Sequence, residues 1–333
     1  MTRMAVWSAI VLATTLLPGL VLAPARPATA TDGAPPPSPG KMVDLGGRKL
    51  HLDCAGSGTP AVIVENGSSG FSIEWALVQP EVAKFTQICT YDRAGHAWSD
   101  AGPARGAVEP TIDDLHLLLR TAGVRPPYVL VGASLGGIYT RAYQRRYPEE
   151  VVGLVLDDPT SDEGLSYQVN GKDRPIYEMS ARDMREAFMP LVRNGWHRDA
   201  PAKVEEPHDR LPKDLQTAQL WAARKFVADG DIYQEMVTAE SWRQEFIALR
   251  RERLRQEHPL GSLPLIVLGR KQSDWETRRR HLAELKALSS AGKLTIAEDS
   301  GHEIHLYRPE LVVQAIREVV TTARDKKSRP GAP

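Results

Sequence analysis

Short apolar runs recur along the chain, each followed by a stretch of small or polar residues. Lys41 to Cys54 alternates weakly around Gly46-Gly47 and predicts an opening β-hairpin, Met42 to Leu45 and Lys49 to Asp53. Ala61-Val-Ile-Val-Glu65 and Val151 to Leu156 have the continuous apolar pattern of strands buried on both faces. Gln87 to Tyr91, Pro127 to Gly132, Leu265 to Leu268 and Lys293 to Ala297 are further strands. Helical spacing lies between them. One helix runs through Trp75, and another is capped by Thr111 with Asp114 three residues on and Leu115, Leu118 and Leu119 as its apolar face. A third starts after Ser134 and stops before Pro148, and Thr277 to Leu288 and Glu310 to Ala323 complete the set.

From Thr160 to about Gly261 the strand signals vanish. Charged helical patterns replace them at Ser180 to Val192, Leu215 to Ala228 and Ala239 to Arg255. That block is too long for a loop inside a compact domain and reads as a helical cap over residues 160–261. Strand alternating with helix, interrupted once, predicts an α/β fold with a mostly parallel sheet flanked by helices. Its core would span 41–159 and 262–323, with a flexible tail over 324–333.

The 42 Lys and Arg residues balance 42 Asp and Glu residues, so no global basic field would attract nucleic acid. The sequence has no internal repeat, no P-loop and no Cys/His cluster with metal-ligand spacing, and neither a metal nor a cofactor is expected. The N-terminus reads as an export signal over residues 1–30: Arg3, an apolar stretch from Ala5 to Leu17, and Ala28-Thr29-Ala30 as a cleavage site. An uncleaved anchor is the alternative, since Ala5 to Ala23 is nearly long enough to span; Pro18, Pro24 and Pro27 argue against it. The expectation is a secreted or periplasmic protein without stable membrane insertion after cleavage. Residues 31–40, rich in Pro and Gly, would be a disordered lead-in. The two cysteines, Cys54 and Cys89, would then meet an oxidising space.

The chemistry centres on Gly132-Ala-Ser134-Leu-Gly136, which lies between a predicted strand and a predicted helix. In that context G-x-S-x-G lifts a serine hydroxyl above the sheet on a strained turn. Sites in such folds lie at the C-terminal ends of the strands. Gly67-Ser68, Asp158, Gln272-Ser-Asp274 and His302 all fall there. A serine hydroxyl needs a base, and His302, in a tight turn after the last strand, is the candidate. His96, His116 and His258 lack a motif, and His305 is read as structural. The base needs a carboxylate, for which Asp158 and Asp274 compete, with Asp157 on the other side of its strand.

These residues resemble the α/β-hydrolase superfamily over roughly Met42 to Ala323, the cap excepted. The matching pieces are Glu65-Asn-Gly-Ser-Ser-Gly70, Tyr91-Asp-Arg-Ala-Gly95 with Trp98-Ser-Asp100, Gly132-Ala-Ser-Leu-Gly136, and Ser300-Gly-His302 before Pro309-Glu-Leu311. The resemblance implies an eight-stranded sheet and a Ser134, His302 and Asp158 triad. Gln272 stands where the superfamily's acid is often Asp, so Asp274 remains the alternative. It implies oxyanion donors at the N–H groups of Ser68 and Leu135, with Asn66 where relatives often carry His. It also makes the second hairpin strand a neighbour of Gln87–Tyr91, and so implies a Cys54–Cys89 disulfide. Arg93 would brace loops beneath the site. Trp75, Trp98, Trp196, Trp221 and Trp242 are read as core more than as pocket. The implied activity is cleavage of a small-molecule ester through an acyl-enzyme, with the apolar pocket shaped by the cap; a serine nucleophile disfavours the epoxide-hydrolase and dehalogenase branches. An amidase or aminopeptidase is the alternative, with Glu205-Glu206 or Asp162-Glu163 meeting a substrate amine. A catalytically inactive binding protein of the same fold is the third reading. The sequence does not determine the oligomeric state.

Overall fold

The computed structural model describes residues 34–102, 105–194, 200–230 and 232–328. The export signal, the anchor alternative and Trp196 lie outside the described residues. Strands β1 (Lys41–Asp44), β2 (Lys49–Ala55) and β3 (Ala61–Glu65) open the fold. They are followed by α1 (Gln79–Ala83), β4 (Ile88–Tyr91), α2 (Val108–Thr121), β5 (Tyr128–Ala133), α3 (Gly136–Arg146) and β6 (Val151–Asp157). An insertion holds β7 (Ser166–Val169), β8 (Lys172–Pro175), α4 (Ala181–Asn194), α5 (Lys213–Ala228) and α6 (Ile232–Arg255). The core resumes with β9 (Leu265–Arg270), α7 (Trp275–Lys286), β10 (Gly292–Ala297), α8 (Ile304–Tyr307) and α9 (Pro309–Ser328).

Eight strands form one sheet in the order β1-β2-β4-β3-β5-β6-β9-β10. β2 runs antiparallel to both neighbours, and every pairing from β4 to β10 is parallel. Alternation along each strand sorts the apolar residues onto two faces. Ile63, Leu130, Leu154 and Val267 join Leu115 and Leu118 of α2 and Leu282 of α7 on one face. Val62, Val64, Val129, Val131 and Val155 join Val312, Ile316 and Val320 of α9 on the other. Each such side chain contributes roughly 1.5–3 kcal/mol by leaving water. Because both faces are covered, β3 and β5 are buried at every position, which is why they read as continuous apolar runs.

Several boundaries differ from expectation. α2 begins at Val108 with Ala107 as its cap residue, and the Thr111 N–H already donates to the Ala107 carbonyl. Pro110 is tolerated in that first turn because the N–H it lacks would have no helical partner there. The insertion is not purely helical: β7 and β8 form a hairpin around Asn170-Gly171, both with positive φ. Residues 34–40, expected to be disordered, are held by the core. The Trp98 indole donates to the Pro36 carbonyl at 2.8 Å, and His51 contacts the Pro39 carbonyl. The tail is helical to Ser328, with Arg324 Nε donating to the Thr59 carbonyl at 2.8 Å; residues 329–333 lie outside the described residues. Cys54 faces Cys89 in the β2–β4 register, and the two form a disulfide.

Candidate active site

Ser134 follows β5 at φ +53°, a left-handed conformation that a non-glycine residue holds only under constraint. Its N–H donates to the Asp157 carbonyl at 2.9 Å, and its carbonyl accepts from Thr160 at 3.0 Å. The close neighbours must be small: a Cβ on Gly136 would strike the Glu65 carbonyl and come within 2.8 Å of that of Asn66. The turn is thus clamped between β3 and β6, with Ser134 at the N-terminus of α3.

β6 ends in two adjacent carboxylates, and each takes one imidazole. His302 Nδ1 lies 2.6 Å from Asp158 Oδ2, and His305 Nδ1 lies 2.7 Å from Asp157 Oδ2. His302 sits just before the short helix α8, which carries His305, so both pairs dock that turn onto the sheet. Asp158 is buried, and it also accepts from Arg270 Nε at 2.9 Å and from Arg278. Burial pushes its carboxyl up, but the His302 hydrogen bond and the Arg278 charge outweigh this and hold it below its usual value of 3.8. The same hydrogen bond, opposed by burial, raises His302 above 6.5. Asp274 has a different place: it caps α7, accepting from the Thr277 N–H at 3.3 Å.

The loop after β3 forms the opposite wall. A Cβ on Gly67 would lie 3.3 Å from that of Ser134, so the loop passes directly over the serine. Arg93, itself buried, donates to the carbonyls of Asn66 at 2.7 Å and Ser68 at 3.0 Å, and also to that of Gly67. Its charge is met by Glu65 at 2.6 Å. With three successive carbonyls drawn to Arg93, the N–H groups of Ser68 and Leu135 are left without a protein acceptor among the described residues. Asn66 anchors the loop from within, accepting from the Trp75 indole at 2.8 Å. His96, which had no motif, holds the Ser68 carbonyl through Nε2 at 3.2 Å. Burial first, then the Arg93 charge, push it well below 6.5.

A family model described as "Alpha/beta hydrolase family" matches residues 55–315. The chain belongs to the alpha/beta hydrolase family. It is similar to the uncharacterized protein YbdG of Bacillus subtilis, at 23% identity over 86% of either chain. Among solved structures it is similar to a thermophilic esterase from Thermogutta terrifontis, with TM-score 0.58, 21% identity and coverage of 83% of this chain and 94% of that one. An esterase from Exiguobacterium antarcticum matches at TM-score 0.57 and 16% identity, over 85% and 99% of the two chains.

In this alpha/beta hydrolase one cleft of about 110 Å³ gathers Ser134, His302, the Gly67–Gly70 loop, Glu74, His208, Glu303 and His305. No hydrogen bond joins Ser134 Oγ to His302 among the described residues. None of the described tryptophans lines this cleft: Trp75 is fully buried and stacks on His305 at 4.5 Å, Trp98 packs on Trp221, and Trp242 donates to Tyr139. Three of the four acidic residues singled out in the sequence are engaged elsewhere. Asp162 lies between Arg141 and Arg253, Glu163 pairs with Arg253, and Glu206 pairs with Arg210. The sequence reading missed Glu74 and His208, since neither has a motif around it.

Proposed function

We propose that this hydrolase cleaves carboxylic esters through an acyl-enzyme formed on Ser134. The observation that carries the reading is the 2.6 Å contact between Asp158 and His302 at the cleft that also holds Ser134. His302 takes the proton of Ser134 Oγ through Nε2 as the hydroxyl attacks the ester carbonyl. Asp158 keeps the other ring nitrogen protonated and stabilises the imidazolium. The N–H groups of Ser68 and Leu135 receive the oxyanion, aided by the N-terminus of α3. His302 then returns the proton to the leaving alcohol, and water repeats the sequence to release the acid. Held below 3.8 by the His302 hydrogen bond and the Arg278 charge, Asp158 is a carboxylate at any pH where His302, raised above 6.5, is neutral. Export is part of the proposal and is supported by the Cys54–Cys89 disulfide.

The test is labelling by a fluorophosphonate together with hydrolysis of p-nitrophenyl acetate. Ser134→Ala should abolish labelling and lower turnover by three or more orders of magnitude, on the scale of nucleophile loss in serine hydrolases. Full turnover by that variant would refute the mechanism.

A further inference from the structure

We propose that the cleft selects esters carrying a primary ammonium group, with Glu74 as the residue that receives it. This rests on the serine-hydrolase reading above and names its substrate class.

The argument starts from what lines the cleft. Gly67, Ser68, Ser69, Gly70, Ala133 and Ser134 are small, and the rest are Glu74, Glu303 and the three imidazoles of His208, His302 and His305. No aliphatic side chain larger than Ala133 faces this space, so a long acyl chain would gain little by entering it. This differs from the apolar pocket expected of the cap.

Apart from its imidazoles, the cleft is charged only by the carboxylates of Glu74 and Glu303; burial pushes His208 down, but Glu74 outweighs it and raises His208 above 6.5. Glu74 lies on the turn after the oxyanion loop, its side chain is 9% exposed, and its Oε2 overhangs Gly70. Its one ion-pair partner among the described residues is His208 of the insertion, 3.3 Å from Oε1. The nearby guanidinium groups are committed: Arg93 to Glu65 and the loop carbonyls, Arg270 and Arg278 to Asp158. Glu303 adds a second carboxylate beside His302.

The backbone donors at Ser68 and Leu135 are taken by the oxyanion. A ligand ammonium would find the Glu74 carboxylate in the same cleft. A carboxylate on the substrate would meet Glu74 and Glu303 instead.

An isosteric ester pair tests this. The p-nitrophenyl esters of alanine and isobutyric acid differ by an ammonium in place of a methyl; 3-aminopropyl and butyl acetate place the same change on the alcohol side. At pH 6.5, where the amines are largely protonated, the ammonium-bearing member of at least one pair should have the higher kcat/KM. Glu74→Gln should reduce that ratio about tenfold, and Glu74→Asp should retain most of it. Taking the ratio within each variant cancels any general loss of activity, and comparing it between wild type and variant cancels intrinsic ester reactivity. If Glu74→Gln does not fold, the wild type decides: propylammonium should inhibit isobutyrate ester hydrolysis competitively and propanol should not. Turnover of both pairs with ratios unmoved by Glu74→Gln, or equal inhibition by propylammonium and propanol, overturns the substrate assignment alone. An enzyme that turns over no ester and does not label at Ser134 overturns the hydrolase reading and this assignment with it.

Discussion

At the residue scale, the sequence singles out Ser134 and His302, which the fold brings to one cleft, because their signals are local. A serine flanked by glycines between strand and helix, and a histidine in a tight turn, each show in a few neighbouring residues. The sequence put Asp158 first for the acid and kept Asp274 open, because what distinguishes the two is what lies across space from each. Asp158 has His302, Arg270 and Arg278 around it; Asp274 has only its own helix. Asp158→Asn should therefore lower kcat by roughly 10³–10⁴-fold, as loss of the orienting carboxylate does in such triads. Asp274→Asn should leave turnover within about twofold and stability nearly unchanged, since Asn caps a helix about as well as Asp. Steady-state kinetics on the two variants separates them, and the opposite result would transfer the role to Asp274. The pH profile gives a second check. Only neutral His302 can accept the serine proton, and Asp158 stabilises its charged form, so the group titrates above 6.5. In the wild type kcat/KM should rise with pH to a plateau through a midpoint above that value, and in Asp158→Asn the midpoint should fall.

At the element scale, the sheet was readable because strands covered on both faces must be continuously apolar, whereas β7 and β8 were not. Their burial is slight, so no apolar alternation marks them; only the Asn170-Gly171 turn signal was present in the sequence. The loop after β3 shows a deeper limit. Its glycine and serines suggested an oxyanion loop, but its shape is set by Arg93, from the loop after β4, and by the Glu65 carboxylate that holds Arg93. Removing the guanidinium frees three carbonyls and strands a buried carboxylate. Arg93→Met should lower kcat by about 10²-fold through misplaced donors, with a stability loss of about 3–5 kcal/mol. Ester kinetics and urea unfolding would measure the two effects, and a variant with normal kcat would show that the loop holds its form without Arg93. The disulfide makes a further prediction. It closes a span of 35 residues, worth about 3–4 kcal/mol in the chain-entropy model. A Cys54→Ala, Cys89→Ala double variant should lose about that much stability in urea, and reduction of the wild type should lower its midpoint by a similar amount.

At the scale of the whole molecule, the insertion is tied to the core by charge. Asp162, fully buried, sits between Arg141 of α3 and Arg253 of α6, and Arg253 also reaches Glu163 at 2.6 Å. The sequence offered Asp162 and Glu163 to a substrate amine because their arginine partners lie far along the chain, brought near only by the fold. Burial pushes the Asp162 carboxyl up, but Arg141 and Arg253 outweigh it and hold it below 3.8, as His302 and Arg278 do for Asp158. A carboxyl whose folded value is depressed contributes stability that is fully present above its unfolded value. That contribution is lost as pH falls through the folded value. Below about pH 3.8 the molecule should therefore lose the tie between insertion and core and the brace under His302 together. His96, buried and depressed well below 6.5, removes stability earlier in the same descent, while the gain from His51, raised above 6.5 by Asp92 against its burial, is complete before that loss begins. The lower limb can be isolated by mutation. Asp162→Asn leaves Arg141 and Arg253 short of a buried counter-charge, which should cost about 3–5 kcal/mol at pH 7. The same variant has one fewer depressed carboxyl to protonate, so its stability should fall less steeply below pH 3.8 than that of the wild type, with the two curves alike between pH 4 and 7. Urea unfolding across pH 2.5 to 7 measures both slopes. Equal slopes below pH 3.8 would mean that the tie between insertion and core is not held by the charge on Asp162.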